Sequence, residues 1–217
     1  MNRVSERESP GIAAVFRCAR AVLLATLTMS FTGPALAADP RFPDWPCVQL
    51  KVPELSIAAV WSGAPIDAVL GKWQEDPRIA ELVPRLAARR TPLEEAEKQI
   101  ANFLENAGDR ERKGTLLFAG LFEVLSRQRA EVMDGIERFS RKQKAVTEKI
   151  RSKEAELHRM QDADADQSKI DDLANQLEWD IRVYEDEKKT LSYVCEVPQL
   201  IERRLFGLSR AIQRAID

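Results

Sequence analysis

Histidine is almost absent from this chain: 217 residues contain one, His158. Most catalytic arrangements built on imidazole, and any multi-histidine metal site, are thereby excluded. Aromatic residues are 6% of the chain and glycines number nine, too few for the turn-rich pattern of an all-β fold. Positive charge shows no excess either, with 33 basic residues against 35 acidic ones. Without a global positive field to collect phosphates, nucleic acid is not an expected partner.

Cysteine is scarce too, and the three present form no Cys-x-x-Cys, so neither a low-pKa redox thiol pair nor covalent haem attachment is expected. A nucleophile elbow and a glycine-rich phosphate loop are both missing. No enzymatic activity, catalytic residue or cofactor is expected. His158 lies beside Leu157 and Met160, on the flank of an apolar stripe.

What the chain does hold is helix-forming material, 31% charged and 44% hydrophobic. The first 37 residues read as an address. Arg3, Arg7, Arg17 and Arg20 precede the apolar run Ala21 to Phe31, followed by Gly33-Pro34 and then Ala35-Leu36-Ala37. That order predicts a secretory signal of the Sec type cleaved before Ala38, and hence a periplasmic protein. The apolar run is short of the roughly 20 residues that span a bilayer, so a retained anchor is the less favoured reading. Cys18 leaves with the signal, and the mature chain is mildly acidic.

Two cysteines then remain, Cys47 and Cys195, and an oxidising compartment predicts a disulfide between them. An intermolecular bond or two free thiols stay open at this point. Residues 38–54 carry Pro40, Pro43, Pro46 and Pro53, which withhold donors and favour extended backbone, so an N-terminal strap is expected there. Trp45 and Trp61 are expected to pack.

Residues 55–110 predict a base of short helices. Ser56 is placed to cap a helix through Trp61, Pro65 sits in a plausible first turn before Val69 and Trp73, and Asp76-Pro77 is a strong start for a helix over 76–90. Thr91-Pro92-Leu93-Glu94 reads as a capping box opening a helix over 92–106.

Residues 111–217 predict a long antiparallel hairpin with a kinked C-terminal helix. Leu117, Leu121, Leu125, Val132, Ile136, Phe139, Val146, Ile150, Leu157 and Met160 recur at helical spacings. A heptad seam from Ile136 has polar entries at Gln143 and Lys153, and the eleven-residue step from Leu125 to Ile136 predicts local unwinding. Ile170, Leu173, Leu177, Ile181, Tyr184, Leu191 and Val194 supply a returning helix, which Pro198 should break. The predicted class is all-α and coiled-coil-like, with the strap fastened near the root of the hairpin.

Two surface features remain. Asp162, Asp164 and Asp166 resemble the first half of an EF-hand calcium loop, but Gln167 stands at the glycine position and Leu173 at that of the bidentate glutamate. A solvated turn is preferred there over a loose calcium site. Arg203, Arg204, Arg210 and Arg214 flank the stripe of Ile201, Leu205, Leu208 and Ile212, a composition that suits a membrane surface or a partner, though a core-facing helix with a solvated basic side is the preferred reading. The favoured expectation is a non-enzymatic interaction module of the bacterial periplasm: an adaptor, assembly factor or holdase. It would meet another envelope protein, or itself, through the hairpin. A peripheral membrane protein using the basic helix, and a purely structural spacer, are the alternatives.

Overall fold

The computed structural model describes residues 39–217. The secretory signal and Cys18 lie outside the described residues. All regular structure among the described residues is helical: α1 (Ile57–Val60), a 3-10 turn (Trp73–Glu75), α2 (Pro77–Ala87), α3 (Leu93–Glu105), α4 (Arg110–Asp162), α5 (Gln167–Cys195) and α6 (Val197–Ile216). The fold is therefore all-α, as the composition and periodicity predict.

Local signals account for most of the helix ends. Asp76 caps α2 by accepting from the Arg78 and Ile79 amides at 3.0 and 3.2 Å, with Pro77 in the first turn. The Lys113 ammonium donates to the same carboxylate and, with those two amides, holds its pKa below the usual 3.8 despite partial burial. Asp109 caps α4 through the Arg112 amide at 3.1 Å.

Two predicted caps do not form. Ser56 makes no capping bond, and α1 is a single turn. Pro65 opens no helix; turns lead to the 3-10 segment instead. Ahead of α3 the capping box is replaced, because the Thr91 hydroxyl donates to the Arg85 carbonyl at 3.0 Å and Pro92 becomes the cap. Tertiary partners took the side chain that a local motif would have used.

Helix α4 runs uninterrupted for 53 residues, without the unwinding that the eleven-residue step suggests. Two helices lie along it in succession. Over its first half it packs against α6, where Gly114 faces the side chains of Ile212 and Ile216. Over its second half it packs against α5, and the pairs Lys153–Asp180 and Lys142–Glu187 run in opposite chain directions. Both polar seam entries meet a carboxylate across that contact: Lys153 reaches Asp180 at 2.8 Å, and the Gln143 amide donates to Glu187. Helix α5 ends at Cys195 and α6 opens at Val197 with Pro198 in its first turn, where a missing donor costs little.

The core lies where α2, α3, α4 and α6 meet. Leu86, Ile100, Phe118, Leu125, Leu205 and Leu208 are fully buried there, and the Trp61 and Phe118 rings stack with centroids 4.2 Å apart. Gly120 lets α2 approach α4: a Cβ there would stand 2.8 Å from a Val83 methyl and 2.9 Å from the Trp73 ring. That ring is fixed by its N–H donating to Glu123 at 2.9 Å. Gly135, by contrast, has only the tip of Arg138 nearby, at 3.8 Å. Helix propensity favours alanine by about 1 kcal/mol at either site, while overpacking costs roughly 1–3 kcal/mol. In urea unfolding, Gly135→Ala is therefore expected to raise stability and Gly120→Ala to lower it; shifts of the same sign would contradict this packing.

Candidate functional site

The proline-spaced segment ahead of α1 is irregular, with turns at its start, where the Phe42 and Trp45 amides donate to the Asp39 and Phe42 carbonyls at 2.9 and 3.0 Å, and bends over 47–49; exposure alternates along 47–52, dividing the side chains into two rows. Cys47, Gln49 and Lys51 point inward, each held by a different bond. Cys47 is joined to Cys195, its Cα 5.6 Å away across a sequence separation of 148. The Gln49 amide donates to the Cys195 carbonyl, and the Trp45 indole N–H donates back to the Gln49 carbonyl at 2.7 Å. Lys51 meets Glu137 at 2.6 Å with both side chains largely buried. The intramolecular disulfide fits an oxidising compartment.

A further anchor comes from a residue that sequence reasoning passed over. Arg129 is only 4% exposed, and its guanidinium donates to the carbonyls of Val52 at 2.6 Å and Pro53 at 3.2 Å, and to Glu202 at 2.6 Å. It ties the strap to α4 and α6 at once. Its signal was present in the periodicity: Arg129 stands four residues after Leu125 and seven before Ile136, inside the eleven-residue gap of the apolar stripe.

The second row faces out. Val48, Leu50 and Val52 are 83%, 76% and 54% exposed. The usual alternation of a packed extended segment, apolar inside and polar outside, is thus inverted, because the polar members have the buried partners. Tyr193 and Leu200, at the joint between α5 and α6, are exposed as well.

Beside this row, strap, α4 and α5 enclose an open cleft of about 560 Å³ lined by Pro46, Val48, Tyr184, Leu191 and the disulfide. Gln143 also lines it, and its side-chain oxygen is buried without a partner. A smaller recess, about 300 Å³, lies on the other flank of the strap beside Leu50, Met133 and Pro198. At the rim of the cleft, Lys144 reaches Asp44 at 2.8 Å and Arg141 reaches it at 3.3 Å. Those two cations, Lys144 foremost, hold the Asp44 carboxyl below its usual pKa.

The other residues singled out from sequence do not gather into a site. Asp162 is the last residue of α4, Asp164 takes a left-handed turn with φ 47°, and Asp166 caps α5 by accepting from the Ser168 amide at 2.9 Å. No group of three His, Cys, Asp or Glu among the described residues could hold a metal ion. The alternating aspartates build a turn and a cap instead of converging.

The four arginines of α6 separate as well. Arg203 and Arg210 are exposed, and Arg214 pairs with Glu97 at 3.1 Å. Arg204 turns inward and donates to the carbonyls of Leu86 at 2.8 Å and Thr91 at 2.9 Å, burial pushing its pKa down. The stripe they flank is buried in the core, so it offers no apolar face to a membrane. No helix among the described residues is long and apolar enough to cross one. His158 is exposed on α4. No family model, curated protein or solved structure matches the chain.

Arg129→Met keeps the length of the stem but strands two carbonyls and a glutamate that is itself only partly exposed. Unfolding stability is expected to fall by about 2–4 kcal/mol. Arg129→Lys should recover only part of the loss, since a compact ammonium lacks the planar spread by which the guanidinium reaches three separated acceptors. Chemical denaturation measures both, and an unchanged midpoint for Arg129→Met would remove the guanidinium from its anchoring role.

Proposed function

We propose that this protein is an exported, non-enzymatic interaction module of the bacterial periplasm, an adaptor or assembly factor. On this reading it docks another envelope protein on its disulfide-fastened strap. The observation that carries the reading is the outward row of Val48, Leu50 and Val52, presented on a segment that is otherwise bonded to α4 and α5. Covering such side chains stabilises a complex by roughly 1–2 kcal/mol each. A surface already rigid before contact loses little entropy on binding. The flanking cleft and recess add concave ground for side chains of a partner, and the disulfide suits the oxidising periplasm.

Affinity capture from envelope extracts tests this reading, with the wild-type protein compared against a Val48→Asp/Leu50→Asp double variant. Both positions are exposed, so the variant should keep its helical content and unfolding midpoint. Specific co-purification of an envelope protein with the wild type, and its loss with the variant, is the expected result. Recovery of the same proteins by both baits would place recognition elsewhere.

A further inference from the structure

The distal arm, residues 138–187, presents a second surface, unrelated to the strap. Two helices alone bury one stripe, and in this arm that stripe is thin: the buried residues are Ser140, Gln143, Ile150, Ile170 and Leu177, two of them polar. On α5, Trp179 is 63% exposed and Val183 is 39% exposed. They stand four residues apart, so they share one face, and Trp179 lies about 200° round the helix from the buried Leu177. An outward tryptophan and an outward valine one turn apart form an uncovered apolar face.

Charge identifies what fits that face. Residues 138–153 of α4 hold seven basic residues and one acidic residue, whereas residues 171–187 of α5 hold seven acidic residues and one basic residue. Within the arm only Lys142–Glu187 and Lys153–Asp180 join the two helices as ion pairs. Arg138 and Lys149 on α4, and Asp172 and Glu185 on α5, make no ion pair among the described residues. Each helix of the arm is therefore the electrostatic complement of the other helix in a second molecule.

We propose that a second copy of this chain packs against the distal arm, so that two hairpins close into a four-helix bundle. A two-fold axis sets the basic α4 of each copy beside the acidic α5 of its partner, satisfying the complement twice with one self-matching interface. Trp179 and Val183, on the side of α5 away from its own seam, are covered in the same contact.

Sedimentation velocity on the purified, oxidised protein reads this out. A reversible dimer at micromolar concentration is expected, with Kd rising roughly tenfold as ionic strength goes from about 0.05 to about 0.5 M. Trp179→Asp should leave the monomer folded, by circular dichroism, and abolish the dimer. The sharper arm uses two charge-reversed proteins, Arg138→Glu/Lys149→Glu and Asp172→Lys/Asp186→Lys, the latter two positions each seven residues from Trp179 and so on its face of α5. Each alone should stay monomeric, and the mixture should form a heterodimer, because only the mixed pair restores both complements. A monomer at every concentration, a dimer indifferent to Trp179→Asp, or a mixture that fails to pair would each overturn the proposal. A dimer lost on Val48→Asp/Leu50→Asp and retained on Trp179→Asp would move self-association to the strap and overturn it equally. Loss of envelope partners with those strap substitutions, while the dimer persists, separates the two surfaces.

Discussion

Cys47 is bonded to Cys195 at the break between α5 and α6, and Arg129 grips the two carbonyls that follow a few residues further along the strap. Between these fixed points the chain can present either of its two rows to the protein, and buried bonds select the polar one. Gln49 and Lys51 have partners inside; Val48, Leu50 and Val52 do not. Closing a loop of this length removes a large share of unfolded-chain freedom, which typically stabilises a fold by about 2–4 kcal/mol. That gain offsets the cost of leaving three aliphatic side chains in water. Without the covalent tie, the same segment would gain by turning its apolar row inward.

The break itself divides the work along α4. Upstream of it lies the cored half, where α6 turns its stripe toward α2, α3 and α4 and buries Leu205, Leu208 and Ile212 completely. Beyond it lies a two-helix arm whose seam is part polar and whose helices carry opposite charge. The apolar core and the charged arm therefore occupy different halves of one continuous helix. The strap crosses between them, and a partner seated on it would touch the joint.

Much of this was legible in the residues. Helical spacing specified the class, Asp76-Pro77 marked a real start, Pro198 marked the break, and the pairing expected of Cys47 and Cys195 is the bond that closes the structure. The polar seam entries Gln143 and Lys153 looked like flaws and proved to be the points where α5 supplies a carboxylate. What stayed hidden depended on partners that no local motif shows. Thr91 gave up its capping box because the Arg85 carbonyl took its hydroxyl. Arg204 left the basic face because two carbonyls awaited it inside, and Arg129 filled the gap in the apolar stripe that periodicity had read as unwinding. A helical wheel assigns such residues to water; only the packed neighbours show that a buried carbonyl needs them.

The inverted strap is the feature on which the functional reading stands, and methyl NMR with a soluble paramagnetic chelate measures it directly. In the oxidised protein at low concentration, the methyl signals of Val48, Leu50 and Val52 should broaden as strongly as any on the surface, while those of Leu125 and Ile136 stay sharp. Strap methyls as protected as those of Leu125 would mean that the row packs inward, contradicting a surface built for a partner.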